Sequence, residues 1–141
     1  MKKILFLLIF ISTVLFASKI DTEKEIYGSI IHAIFPNRQT VYVWSDDKTT
    51  SFLDDISGVK MLDNVDNADI LILSNFSKNA FLAGKIVFVR KYYLLKKYKD
   101  FAVGGFYWQK GRPNILFLKQ NLEKFDIKLP NGLESFVEDE L

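Results

Sequence analysis

Apolar positions in this chain fall into an opening block, one stripe of helical period and a series of short solid runs. The opening block follows Met1, Lys2 and Lys3, runs unbroken from Ile4 to Ile11, and resumes at Val14-Leu15-Phe16 before Ala17 and Ser18. A charged start, a short apolar stretch and small residues at its end form the pattern of a secretory signal. A membrane-spanning helix takes about 18 to 20 apolar residues, and this block is shorter. Residues 1–18 are therefore expected to be a signal peptide, cut after Ala17 or Ser18. Residues 19–141 are expected to form one domain outside the cytoplasm.

The helical stripe comes next. Thr22-Glu23-Lys24-Glu25 has the spacing of a capping box, and Ile26, Tyr27, Ile30, Ile31 and Ile34 share one side of a helix reaching about Ala33. Pro36-Asn37 ends it. Thr40–Trp44 predicts a strand that turns at Ser45-Asp46-Asp47, Thr49–Ile56 a short helix closed by Ser57-Gly58, and Val59–Leu62 a short strand. The solid apolar runs Asp69–Ser74 and Lys85–Val89 predict strands buried on both faces, with a brief helix around Ser77–Leu82 between them. A basic helix is expected over Tyr92–Tyr98. Strands over Phe101–Gln109 and Asn114–Leu118 are joined by Lys110-Gly111-Arg112-Pro113, with Pro113 starting its strand or lying near an edge. Helices are expected over Leu122–Phe125 and Leu133–Glu140. Short buried strands alternating with helices give an α/β fold, a three-layer sandwich with a mostly parallel central sheet and a C-terminal antiparallel hairpin.

Charge changes the picture once the signal is removed. The full chain has 19 Lys and Arg against 17 Asp and Glu; without Lys2 and Lys3 the balance is 17 against 17. The basic residues concentrate between Lys85 and Arg112, where Asp100 is the lone acid. That flank suits an anionic partner or surface, while Lys96, Lys97 and Lys99 also fit the solvated face of one helix. No nucleic acid is expected as a partner. The chain has no cysteine, which excludes disulfides, thiol catalysis, thiolate metal sites and a lipid-anchored N-terminus.

Candidate chemistry is sparse. His32 is the single histidine and reads as a structural residue in mid-helix. Asp46-Asp47 and Asp54-Asp55 read as caps and turn formers. Gly104-Gly105 lies inside a strand and does not feed a helix N-terminus as a phosphate-cradling loop does. No metal, cofactor or enzymatic activity is expected. A binding crevice is expected beyond the C-terminal ends of the parallel strands, where Ser45, Asp46, Ser74, Asn75 and Arg90 offer hydroxyl, amide and guanidinium groups to a small anionic or aromatic molecule. The stretch from Gly104 to Asn114 is the densest in chemistry. Paired glycines in a strand imply a bulge or close backbone approach, and alternation puts Phe106 and Trp108 on one face and Tyr107 and Gln109 on the other. Tyr107, Trp108, Lys110 and Arg112 are candidate partner-binding residues; Gly104, Gly105 and Asn121 are candidate structural ones.

That same stretch carries a resemblance. Gly104-Gly105-Phe106, a strand, a basic turn, Ile115-Leu116-Phe117, Asn121-Leu122, and Ile127-Lys128-Leu129 through Leu133 to Phe136 resemble the C-terminal part of the YfiR-like family of periplasmic regulatory proteins. Tyr27 and Ile31 on a first helix, followed by Phe35-Pro36, resemble its N-terminal half more loosely. The best-known members carry disulfide-forming cysteines, which are missing here. The resemblance implies an α/β sandwich, often dimeric, that binds the periplasmic sensor domain of an inner-membrane diguanylate cyclase and holds it inactive. A small periplasmic solute-binding protein is the alternative, and a hydrolase a distant third.

Overall fold

The computed structural model describes residues 19–75, 82 and 84–141. The signal expected over residues 1–18 and nearly all of the helix expected over Ser77–Leu82 lie outside these residues.

Helix α1 covers residues 19–34. Tyr27, Ile30, Ile31 and Ile34 form its buried stripe, spaced as successive turns of one face require. Because the chain is already helical at residue 19, Thr22 sits within the helix and does not cap it, contrary to the capping-box reading. The Thr-x-x-Glu spacing also places both side chains on one helix face without any cap.

Strand β1 is Val41–Ser45, followed by a 3-10 helix at Lys48–Asp55 and β2 at Val59–Met61. Strands β3 (Ile70–Leu73) and β4 (Ile86–Val89) are the two solid apolar runs, and β3 is buried throughout. Then come α2 (Tyr92–Lys97), β5 (Ala102–Gln109), β6 (Arg112–Leu118), α3 (Lys119–Lys124), α4 (Asn131–Glu134) and β7 (Val137–Glu138). The strands form one sheet in the order β2-β1-β3-β4-β5-β6-β7. Neighbours from β2 to β5 are parallel, β5 and β6 are antiparallel, and β6 and β7 are parallel. The fold is α/β with a largely parallel sheet and a C-terminal antiparallel hairpin. Its first five strands follow the 2-1-3-4-5 order of flavodoxin-like doubly wound sheets.

Alternation along each strand sends side chains to two cores. Val41, Val43, Ile70, Ile72 and Phe88 join the α1 stripe and Leu53 of the 3-10 helix on one face. Leu71, Leu73, Val87 and Val89 meet Leu94 and Leu95 of α2 on the other. The alternation slips once, in β5, where Val103 and Phe106 share the α1-side core although three residues apart. The cause is a register shift, Val87 pairing with Ala102 but Phe88 with Gly104, which is the extra residue of a β-bulge. Both glycines there lie against neighbouring strands. A Cβ on Gly104 would sit 2.4 Å from the Leu116 carbonyl oxygen, and one on Gly105 2.9 Å from Val89 Cγ2.

Two C-terminal expectations change. The β5–β6 connection is tighter than the four residues expected. Lys110 and Gly111 both take positive φ, 50° and 74°, the signature of a two-residue hairpin turn, and Arg112 and Pro113 belong to β6. Gln109 and Arg112 close the turn, so Pro113, opposite Trp108, falls at a position whose nitrogen points to the open side of β6. The helix expected over Leu133–Glu140 is one turn, Asn131–Glu134, followed by β7. Leu133 and Val137 have the i, i+4 spacing of one helix face, and both side chains pack on the α1-side core. The backbone instead satisfies the edge of β6, where the Phe117 amide donates to the Phe136 carbonyl at 2.9 Å.

Candidate functional site

The strand order reverses between β1 and β3, and the carboxyl ends of β1, β3 and β4 meet there. All five residues expected in the crevice come together at this edge. The Asp46 carboxylate spans the switch point, Oδ1 accepting from the Ser74 amide at 2.7 Å and Oδ2 from the Asn75 amide at 2.9 Å. Ser45 Oγ accepts from the Asp47 amide at 3.3 Å. The amides that would face an anion at this point are thus occupied by the protein's own carboxylate.

Arg90, just past β4, is held by two acids. Its Nη2 lies 3.4 Å from Glu23 Oε2 and its Nη1 3.5 Å from both Asp47 Oδ2 and Ser74 Oγ. Glu23 comes from the first described turns of α1, and its other oxygen accepts a 2.5 Å hydrogen bond from Trp108 Nε1. These long ion pairs are weaker than bidentate ones, but the Arg90 and Glu23 side chains are only 17 % and 10 % exposed, so solvent screens them little. Asp47 also caps the 3-10 helix, accepting from the Thr49 amide at 2.9 Å. The Thr49 amide and hydroxyl, followed by Ser74 and Arg90, hold its carboxyl below the usual carboxylate range. Tyr27, one turn on from Glu23, packs edge-on to Phe88 and Phe106. Its hydroxyl has no hydrogen-bond partner among the described residues. Burial pushes this phenol well above its ordinary value, with Arg90 partly opposing.

Sequence reasoning singled out Arg90 but missed Glu23, Asp47 and the Tyr27 hydroxyl as its surroundings. One signal was available: Glu23 is the charged residue on the same stripe as Tyr27, Ile30 and Ile34.

The hairpin end of β5 forms the second assembly. Phe106 and Trp108 face the α1-side core and Tyr107 the other, as alternation predicts. Trp108 packs edge-on to Phe106 at 5.8 Å, with Lys19 Nζ 4.7 Å from its ring centroid. Tyr107 meets Tyr92 of α2 at 5.3 Å, and Lys96 Nζ lies 5.2 Å from the Tyr92 ring. Burial, and then Tyr92 beside it, pushes the Tyr107 phenol up. A groove of about 340 Å³ runs between Arg90, Lys91, Tyr92, Tyr107, Trp108 and Gln109. Tyr107 and Trp108 are half-buried, while Lys91, Tyr92, Tyr93, Lys96, Lys110 and Arg112 are exposed. None of Lys91, Lys96, Lys110 and Arg112 has an acidic partner among the described residues.

Other singled-out residues lie apart from both assemblies. Asn121 is fully buried and donates from Nδ2 to the carbonyls of Lys99 and Ala102, at 2.7 and 2.6 Å, tying α3 to the entry of β5. His32 Nε2 lies 2.9 Å from the Ser57 carbonyl, pinning α1 to the turn before β2. Asp54 accepts from the Met61 amide and Asp55 pairs with Lys24. Among the described residues, no group of three potential metal ligands converges, and no helix is long and apolar enough to cross a membrane.

The geometry defines an open, mostly parallel α/β protein whose switch-point amides at Ser74 and Asn75 are taken by its own Asp46 carboxylate and whose hairpin end is aromatic and basic. No protein-family model matches the chain, and no curated protein matches it in sequence.

Proposed function

We propose that this chain is an exported interaction module that regulates a membrane partner by contact, using the hairpin end of β5 and the start of α2. The observation that carries the reading is the groove lined by Lys91, Tyr92, Tyr107 and Trp108, with Lys110 and Arg112 exposed in the adjoining hairpin; none of these three cations has an acidic partner among the described residues. Aromatic faces give large contact area at low entropic cost, and arginine and tyrosine are enriched where binding energy concentrates. Uncompensated positive charge favours an acidic partner surface and speeds encounter with it. The resemblance of Gly104–Phe136 to YfiR-like proteins supplies the partner class, the periplasmic sensor domain of an inner-membrane diguanylate cyclase. Regulation would follow if that domain's inactive state is the better-bound one.

The alternative, capture of a small anionic solute at Ser45, Asp46, Ser74, Asn75 and Arg90, has less support. Two carboxylates already counter Arg90, and a third occupies the amides of Ser74 and Asn75.

Photo-crosslinking in the native cell tests the reading. A photoreactive residue replacing Lys110 is expected to capture an inner-membrane protein with a periplasmic domain and a cytoplasmic cyclase domain. The same residue replacing Lys60, on β2 at the opposite edge of the sheet, is expected to capture none. Equal capture from both positions, or no membrane protein from either, contradicts the reading.

A further inference from the structure

A second groove, of about 470 Å³, opens on the β2 side of the switch point. Half-buried Trp44, Met61 and Leu62, from the ends of β1 and β2, supply its apolar surface. Its volume falls within the range of small-molecule sites. The polar groups around it are mainly acidic: Asp46, Asp47, Asp54 and Asp63 against Lys48.

These acids differ in how far they are neutralised. Asp47 faces Arg90. Among the described residues, Asp46 and Asp54 accept from backbone amides, which leave their charge in place. Asp63 is exposed, and none of Asp46, Asp54 and Asp63 has a cationic partner among the described residues. The groove therefore joins an indole and aliphatic surface to an excess of negative charge. That combination repels the anionic solutes considered for the neighbouring crevice. It suits a cation, which the field of the carboxylates attracts, carried on an apolar frame that the groove's apolar surface can cover.

We propose that this groove is a binding site for an organic cation, a protonated amine carried on an apolar frame. The site goes beyond the contact surface proposed for the hairpin and uses none of that surface's aromatic residues. The frame would lie over Trp44, Met61 and Leu62, with the ammonium directed to Asp63 and Asp54.

Tryptamine and indole-3-acetate share a ring and differ in the sign of their charge, which makes them the test pair. The protein, purified from cells expressing the full chain, is titrated with each and followed by amide and indole NMR. Tryptamine is expected to give saturable shifts centred on Trp44, Ser51, Leu62 and Asp63. Indole-3-acetate is expected to bind at least about tenfold more weakly or not at all. Asp63→Lys is expected to weaken tryptamine about three- to fivefold, the range of an exposed charge pair. Asp63→Asn, which keeps the side-chain size, should act in the same direction and less strongly. Equal binding of the two probes, shifts centred elsewhere, no saturation at millimolar tryptamine, or affinity unchanged in both Asp63 variants would overturn the proposal.

Discussion

Asp47 shows how much of this molecule's organisation rests on single carboxylates. It caps the 3-10 helix through the Thr49 amide and holds Arg90 at 3.5 Å. With its folded pKa below the unfolded value of about 3.9, the native state binds fewer protons there than the unfolded chain. Its contribution to stability is therefore complete above about pH 4 and is lost as pH falls through the lower, folded value. Asp47→Asn keeps the cap, since asparagine caps as well as aspartate, but gives up the charge opposite Arg90. The variant is expected to be about 1 kcal/mol less stable than the wild type near pH 6. That gap should close as the two are compared at successively lower pH. Urea unfolding across pH 2–7 measures it, and a gap that is constant or widens toward acid would contradict this role. Asp46 works differently, joining the ends of β1 and β3 through two amides.

At the scale of elements, the bulge in β5 is the tightest constraint. Gly104 has a carbonyl oxygen where a Cβ would stand, at 2.4 Å, whereas Gly111 in the hairpin turn has open space around it but needs positive φ. Gly104→Ala is expected to cost about 3 kcal/mol or more through backbone displacement, and Gly111→Ala about 1 kcal/mol through strain alone. Urea midpoints compare the two; a Gly104→Ala protein no less stable than Gly111→Ala would show that the bulge is compliant. Elements whose signal is local were legible in the chain. Solid runs gave β3 and β4, and the paired glycines gave the bulge. Elements decided by distant partners were not. Leu133 and Val137 have helical spacing, yet the unpaired edge of β6 drew the backbone after Phe136 into a strand. Glu23 stands inside a stretch with the spacing of a capping box, while its actual partner, Arg90, lies 67 residues away. The crevice residues followed from strand ends and were brought together. Their neutralisation by Glu23 and Asp47 depends on how α1 docks, which no local pattern records.

At the scale of the whole molecule, opposite charges separate along one edge of the sheet. Asp46, Asp54 and Asp63 lie beside the groove at β1 and β2, while Lys91, Lys110 and Arg112 lie beside the aromatic surface at β5 and α2. Arg90 stands between them, balanced by Glu23 and Asp47. In the proposed role, the basic aromatic end meets an acidic membrane partner and the rest of the fold holds that end rigid. Trp108 contributes to both, packing on Phe106 and donating to Glu23, so it is a poor residue for separating binding from stability. Lys110 and Arg112 are better, because both are exposed and neither has an acidic partner among the described residues. The most direct measurement is cytoplasmic cyclic di-GMP in native cells lacking this chain and complemented with the wild type or with Lys110→Glu/Arg112→Glu. The nucleotide is expected to rise several-fold on deletion and to return with the wild type. It should stay high with the charge-reversed protein, even though that protein is exported in equal amount and melts within about 2 °C of the wild type. Unchanged cyclic di-GMP on deletion, or full restoration by the charge-reversed protein, would contradict the account.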